Sequence, residues 1–439
     1  MKKVGMLLVS IGMAMTVHAQ NTKIDFTEYT LDNGLHVILH QDNATPIVAV
    51  SVLYHVGSKD EEEGRTGFAH FFEHLMFEGT ENIGRGDYMN IVQANGGSLN
   101  ANTSHDRTYY YQVLPSNQLK LGLWLESDRM LQATIDDKGV ETQREVVKEE
   151  KRSRIDNQPY ASFQEEIFSR AYRKHPYQNV PIGTMEDLNA ASLSEFIDFY
   201  KKFYVPNNAT LSIAGDIDIE ETKKLIELYF GEIPRGQVEI NRNTIVEPPL
   251  GGEVRDTIFD NIQLPGIFTA YRMPPQTDPD AYALSMLTQL LSSGRSSRLY
   301  KEVVDNLQLG LQVFAFPYNL EDGGLFITLA LANMGKDIAE LEAAVDAEIE
   351  KVRTELISER EYQRVLNQLE NSFVAQNSTM AGIAERLADY HVYYGDANLI
   401  NTEIERYRAI TREDLLRVAK KYLTKDNRVV LYYLPKNSQ

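Results

Sequence analysis

The sequence predicts an α+β protein of two similar domains, each a mostly antiparallel sheet packed with helices. Three observations carry this. Apolar strand patterns and amphipathic helix patterns interleave without a regular β-α-β alternation, which favours antiparallel pairing. At 439 residues the chain has room for two cores. The end of the first half is also echoed at the end of the second.

Strand patterns at 26–31 and 35–39 flank Asp32-Asn33-Gly34, a hairpin turn signal. Residues 47–54 follow as a strand rich in β-branched side chains. A helix around 68–77 and another at 88–94 come next, then strands at 98–103 and 108–114. A long helical stretch is expected over 116–155, and a strand at 209–214 closes the half. The Pro- and Gly-containing segment 232–252 reads as a linker, placing the domains at 20–231 and 253–439. The second half runs strand, strand, helix, helix, strand, strand and then a series of helices.

Lys201-Lys202-Phe203-Tyr204 leads through Asn208 into an apolar strand, as Lys420-Lys421-Tyr422-Leu423 leads through Asn427 into another. A period of about 220 residues suggests a duplicated domain, although unrelated helix-to-strand junctions can produce the same echo. The helix expected at 281–291, counterpart of the one at 68–77, has neither histidine nor glutamate.

Composition narrows the class. Cysteine is absent, which excludes a disulfide framework, a thiolate metal site, a thiol nucleophile and a lipidated N-terminal cysteine. Lys2 and Lys3, an apolar run and Val17-His18-Ala19 read as a secretory signal over 1–19. That run is too short to span a bilayer comfortably, so no stable membrane insertion is expected, with a retained anchor as the alternative. The expected product is secreted, and periplasmic if the source is a double-membraned bacterium. Net charge is −19, and −21 once Lys2 and Lys3 are removed with the signal. So acidic a chain is an unsuitable partner for nucleic acid.

The chemistry concentrates in His70-Phe71-Phe72-Glu73-His74. Phe68, Ala69, Phe71, Phe72, Leu75, Met76 and Phe77 make the helix apolar nearly all round, the pattern of a buried helix. His70, Glu73 and His74 nevertheless share one face, at i, i+3 and i+4. Three buried ionisable groups need partners. Two imidazoles one turn apart can share a tetrahedral zinc ion, and the carboxylate between them can handle a proton. A solvated His/Glu cluster is the bland alternative, which the aromatic flanks oppose. The arrangement is H-x-x-E-H, the inverse of the H-E-x-x-H zinc helix.

Zinc needs a third ligand, and Glu145, Glu149 and Glu150 lie on one expected helix, 140–154. Glu150 stands four residues after Val146 and three after Val147, continuing an inward face, whereas Glu149 shares its sector with Glu145. Spacing favours Glu150 and leaves Glu149 open.

His70-Phe71-Phe72-Glu73-His74 followed by Glu150 in Arg144-Glu145-Val146-Val147-Lys148-Glu149-Glu150 resembles the pitrilysin and mitochondrial processing peptidase family of zinc peptidases. Asp32-Asn33-Gly34-Leu35, Gly97-Ser98-Leu99-Asn100-Ala101-Asn102-Thr103 and Ser297-Arg298-Leu299 extend the resemblance over nearly the whole mature chain. It implies two similar α+β domains forming half of a clamshell around a peptide. It also implies zinc on His70, His74 and Glu150, and Glu73 as general base. Asn100 and Ala101 are implied to lie on an edge strand that pairs with substrate backbone, which an unpaired edge can do with little regard to sequence.

Two departures from the family pattern matter. An acidic residue often found seven positions before the distal ligand is Gln143 here. An arginine and a tyrosine that active members often supply from the second half fall at Val304 and Leu311, which cannot donate hydrogen bonds through their side chains. Arg295 and Tyr300 are possible stand-ins. The resemblance therefore implies the zinc-bearing half of a heterodimer with a related non-zinc subunit, or otherwise a homodimer. A non-catalytic peptide-binding or scaffold homologue is the competing class.

Overall fold

The computed structural model describes residues 23–436, so the expected signal at 1–19 lies outside the described residues. The first half contains β1 (Thr27–Thr30), β2 (His36–Gln41), β3 (Ile47–Tyr54), α1 (Phe68–Leu75), α2 (Asp87–Ala94), β4 (Ser98–Thr103) and β5 (Thr108–Pro115). It continues through α3 (Leu119–Gln132), α4 (Asp137–Lys151), α5 (Phe163–Ala171), α6 (Met185–Ala190), α7 (Leu193–Phe203), β6 (Ala209–Gly215) and α8 (Ile219–Phe230). The second half has β7 (Val254–Asp260), β8 (Gly266–Arg272), α9 (Pro279–Ser292), β9 (Gly310–Tyr318) and β10 (Leu325–Ala332). It ends with α10 (Ile338–Thr354), α11 (Glu359–Gln376), α12 (Met380–Tyr394), α13 (Leu399–Arg408), α14 (Arg412–Tyr422) and β11 (Arg428–Pro435).

Two sheets result. The first runs β1-β2-β6-β3-β5-β4 and the second β7-β11-β8-β10-β9. All pairs are antiparallel except β2 with β6 and β7 with β11. From β2 onward the first order repeats in the second, with the one parallel pair in the same place. In each sheet the strand beside the parallel pair's outer member is the one that ends its half, which is why the two junctions echo in sequence. β4 and β9 are the matching outer strands.

The helical stretch expected over 116–155 is broken. Ala133 is extended and bridges Thr80, and Asp136 then caps α4 by accepting the Gly139 N–H at 2.7 Å. Two β-branched residues, Thr134 and Ile135, followed by a good cap favour a restart over continuation. Beyond α4 the helix widens into a π-turn over Arg152–Asp156.

Each half lends a helix to the other's sheet. Ile167, Phe168 and Ala171 of α5 pack with Phe268, Ala270, Val429 and Leu431 of the second sheet. Ile383, Ala384 and Leu387 of α12 pack on Ile38, Ala49 and Ala214 of the first. Burying each larger apolar side chain contributes about 1.5–3 kcal/mol, so the exchange ties the halves firmly. The first sheet is thus covered on one face by α1 and its neighbours and on the other by α12.

Segment 232–252 has no helix or strand but is strapped down. Glu247 accepts the backbone N–H groups of Arg173, Lys174 and His175, and Arg242 donates to the His55 carbonyl and Asn208.

Candidate active site

α1 is locked by its aromatic residues. Phe68 and Phe71 both stack on Phe196 of α7 at 4.5 Å between ring centroids, and Phe72 stacks on Phe199 at 5.3 Å. At the helix start Gly67 has φ 92°, a left-handed conformation in which an added Cβ would also meet the Ile182 carbonyl at 2.9 Å. Glu61 accepts the Gly67 and Ala69 N–H groups, capping the orphan donors of the first turn. With its aromatic side held, the helix presents His70, Glu73 and His74 together.

Glu150 on α4 meets them. Its Oε2 lies 3.1 Å from His74 Nε2 and 3.8 Å from His70 Nε2, and one donor atom from each of the three falls within 4.8 Å of the others. A tetrahedral site with bonds of about 2.0–2.1 Å has ligand atoms about 3.3 Å apart, so the three need only small shifts to hold zinc. The donor set, two imidazoles and one carboxylate, leaves a fourth position for water or substrate, as catalytic zinc sites do.

Glu150 is 12% exposed at its side chain and Glu149 70%, so the structure turns Glu150 and not Glu149 toward the histidines. Val147 is buried, but Val146 is exposed and does not mark the inner face.

The electrostatics suit ligands and a base. Burial pushes the His70 imidazole down to about 4, and the neighbouring His74 ring acts in the same direction, so the His70 ring is neutral at physiological pH. Glu150 is held below the usual carboxylate range, first by the hydrogen bond from His74. Burial raises Glu73, opposed by the Thr103 hydroxyl, which donates to its Oε2 at 2.7 Å.

Asn100 and Ala101 sit on β4, opposite Tyr111 and Tyr110 of β5, with the other edge of β4 bound to no strand among the described residues. Leu99 and Ala101 pack toward the α1 side and Thr103 reaches Glu73, so alternation turns the exposed Asn100 side chain to the opposite face. Its side chain is not part of the His/Glu cluster.

Gln143 donates to Glu78 Oε1 at 2.5 Å. Val304 packs against the second core, and Leu311 is 50% exposed, at a bulge where β9 pairs with β10. Among the described residues no hydrogen bond or ion pair joins Arg295, Tyr300, Val304 or Leu311 to His70, Glu73, His74 or Glu150. Arg298 of the Ser-Arg-Leu motif is structural, paired through two nitrogens with Glu361. Sequence reasoning missed two neighbours of the cluster. Thr103 shares the parity of Leu99 and Ala101, and Arg154 stands one turn after Glu150, whose Oε1 it contacts.

Two histidines on one helix, a glutamate from another and a half-buried glutamate between the histidines make a donor set of the zinc-hydrolase class. The chain belongs to peptidase family M16, the insulinase family. Residues 36–185 match the model described as Insulinase (Peptidase family M16), and residues 190–369 match the one described as Peptidase M16 inactive domain. The chain is 30% identical over 432 residues to zinc protease PqqE of Helicobacter pylori, covering 98% of this chain and 97% of that one. Its structure is similar to the crystal structure of a protease from Helicobacter pylori, at 29% identity and a TM-score of 0.90, covering 94% of this chain and 100% of that one. The fold also resembles that of the periplasmic protease PqqL of Escherichia coli, at 22% identity and a TM-score of 0.77. That match covers 94% of this chain and 48% of PqqL. Among the described residues no helix is long and apolar enough to cross a membrane.

Proposed function

We propose that this chain is an exported zinc endopeptidase that hydrolyses peptides or unfolded segments, with its two halves divided at 232–252. The observation that carries the reading is the convergence of His70, His74 and Glu150 within one coordination sphere's reach, beside Glu73. Zinc held by these three would supply a Lewis acid and an acidified water. Glu73 takes the water proton as the oxygen bonds to the scissile carbonyl carbon, and delivers that proton to the amine as the C–N bond breaks. The Thr103 hydroxyl orients the Glu73 carboxylate for both transfers. The free edge of β4, at Asn100 and Ala101, pairs with the extended peptide and fixes its register.

Val304 and Leu311 provide no donor for the substrate carbonyl. This supports a heterodimer in which a related non-zinc subunit supplies those donors, with a second copy of the chain as the other arrangement. Export of the chain is secretory, to the periplasm where there are two membranes.

The test is peptide hydrolysis by the mature, zinc-loaded chain, alone and with candidate partner chains, beside Glu73→Gln. Cleavage that needs Glu73, with zinc content equal in both proteins, supports the reading. Cleavage undiminished in Glu73→Gln overturns it. Cleavage by the chain alone removes the need for a partner.

A further inference from the structure

We propose that Glu28, His36 and His391 form a second divalent-cation site, of zinc type, which clips α12 onto the first sheet. The three residues come from β1, β2 and α12, and one donor atom of each lies within 4.8 Å of the others. None belongs to the His70 cluster, and the sheet itself separates the two places: α1 covers one face and α12 the other.

The strand register builds half of the site. Thr30 pairs with His36 and Glu28 with Ile38, so Glu28, Thr30 and His36 project from the same face of the hairpin. Ile38 packs in the cluster beneath α12, which identifies that face. His36 Nδ1 and Thr30 Oγ1 are 3.1 Å apart. In the tautomer where Nδ1–H donates to Thr30, Nε2 carries the free lone pair, and it lies 3.2 Å from Glu28 Oε2. That separation matches the spacing of about 3.3 Å between two ligands of a tetrahedral metal with bonds of about 2.0–2.1 Å. The hydroxyl behind the imidazole plays the part that outer partners play for metal-bound histidines.

α12 brings the third donor. His391 stands four residues after Leu387 on the stripe that faces the sheet, and its ring stacks on His36 with centroids 3.5 Å apart and planes 2° from parallel. Parallel rings cannot both aim an in-plane lone pair at one ion. The His391 ring must therefore pivot about its Cβ–Cγ bond, a torsion with a broad preference, giving up a stack that is weak beside a metal–nitrogen bond. Burial holds both imidazoles below the ordinary histidine range, His391 at about 4, so both are neutral ligands at physiological pH. Glu28 is half exposed on the outer strand, which leaves a path for the ion and for water at the remaining positions.

The ion would join the first half's hairpin to a helix of the second half, making the helix exchange metal-dependent. The test uses the mature chain stripped with a chelator and titrated with Zn2+ alone, with bound metal counted by mass spectrometry. Wild type is expected to bind two equivalents. His391→Ala and the pair His70→Ala with His74→Ala are each expected to bind one, and the three substitutions together none. Glu28→Gln, on the exposed strand and outside the packing, is expected to weaken one of the two equivalents at least tenfold. In the His70→Ala, His74→Ala background, added Zn2+ is expected to raise Tm, and His391→Ala to abolish the rise. One equivalent in wild type, or a count and a Tm response indifferent to His391→Ala and Glu28→Gln, overturns the proposal.

Discussion

The Thr103 hydroxyl donates to Glu73 Oε2 at 2.7 Å, so the last residue of the outer strand β4 holds the carboxylate of the zinc-type helix. The strand proposed to position the peptide and the group proposed to move the proton are thereby one mechanical unit. Thr103→Val keeps the β-branched shape and removes the donor. A hydrogen bond to a charged group is worth about 1.5–3 kcal/mol, so kcat is expected to fall about 10- to 100-fold with zinc content unchanged. The hydroxyl also opposes the rise that burial imposes on Glu73. Its loss leaves that carboxyl protonated to higher pH, and the acid limb of the kcat/KM profile is expected to move upward in pH. An unmoved limb with an unchanged kcat would remove Thr103 from the mechanism.

Arg154 separates the two oxygens of Glu150. Oε2 faces His74 and His70, while Oε1 is in contact with the Arg154 guanidinium from the π-turn that follows α4. A carboxylate held this way offers a single oxygen to a metal. Partners of ligating carboxylates typically affect metal affinity by about 10- to 100-fold. Because Arg154 is 76% exposed and screened by water, the lower figure applies. Arg154→Ala is expected to raise the Kd for zinc about tenfold in a chelator competition, with Arg154→Lys in between.

Most of the site was legible because its constraints are local. His70, Glu73 and His74 declare themselves by helical spacing within an aromatic helix, and Glu150 by its distance from buried Val147. The strand β3 was legible from its β-branched residues and β6 from its apolar run. What stayed hidden depends on contacts distant in sequence. Nothing in the pattern of α5 or α12 says which sheet it covers, since any apolar stripe fits either. The break at Ala133 stayed hidden because β-branched Thr134 and Ile135 only slightly disfavour a helix, and the Asp136 cap that restarts it is one residue among many acidic ones.

Lys59 fastens the two halves from inside. Its ammonium lies 3.0 Å from Asp106 in the first half and 2.6 and 3.1 Å from Glu321 and Asp322 in the second, with the lysine side chain only 3% exposed. Burial works against its charge, but the three carboxylates more than offset that and keep it protonated above the ordinary lysine range. Lys59→Met leaves the buried Asp106 beside two further carboxylates without their cation. Removing one partner of a buried ion pair costs about 3–5 kcal/mol. Glu321 and Asp322 reach solvent in part, so the lower end is expected, read as a fall in the urea midpoint.

His105 sets the acid side of stability. It lies in the turn between β4 and β5, buried and stacked on Phe168 with centroids 4.6 Å apart, between Tyr177 and Tyr318. Burial pushes its imidazole down to about 3 against an opposing pull from the Asn179 backbone, and the Lys59 charge adds to the effect of burial. In the unfolded chain an imidazole titrates near 6.5, so the unfolded state binds the proton first. Its contribution is therefore fully present above about pH 6.5 and is lost progressively as pH falls toward 3, at about 1.4 kcal/mol per pH unit. His105→Phe keeps a stacking ring and has no proton to bind. Between pH 7 and 5, at saturating zinc, wild type is expected to lose about 2 kcal/mol more than the variant in urea unfolding. Comparing the two cancels the histidines they share, including His70 and His74, so the difference isolates this ring. Parallel stability curves would mean that the folded chain admits the proton after all, through an opening of the aromatic cage around the turn.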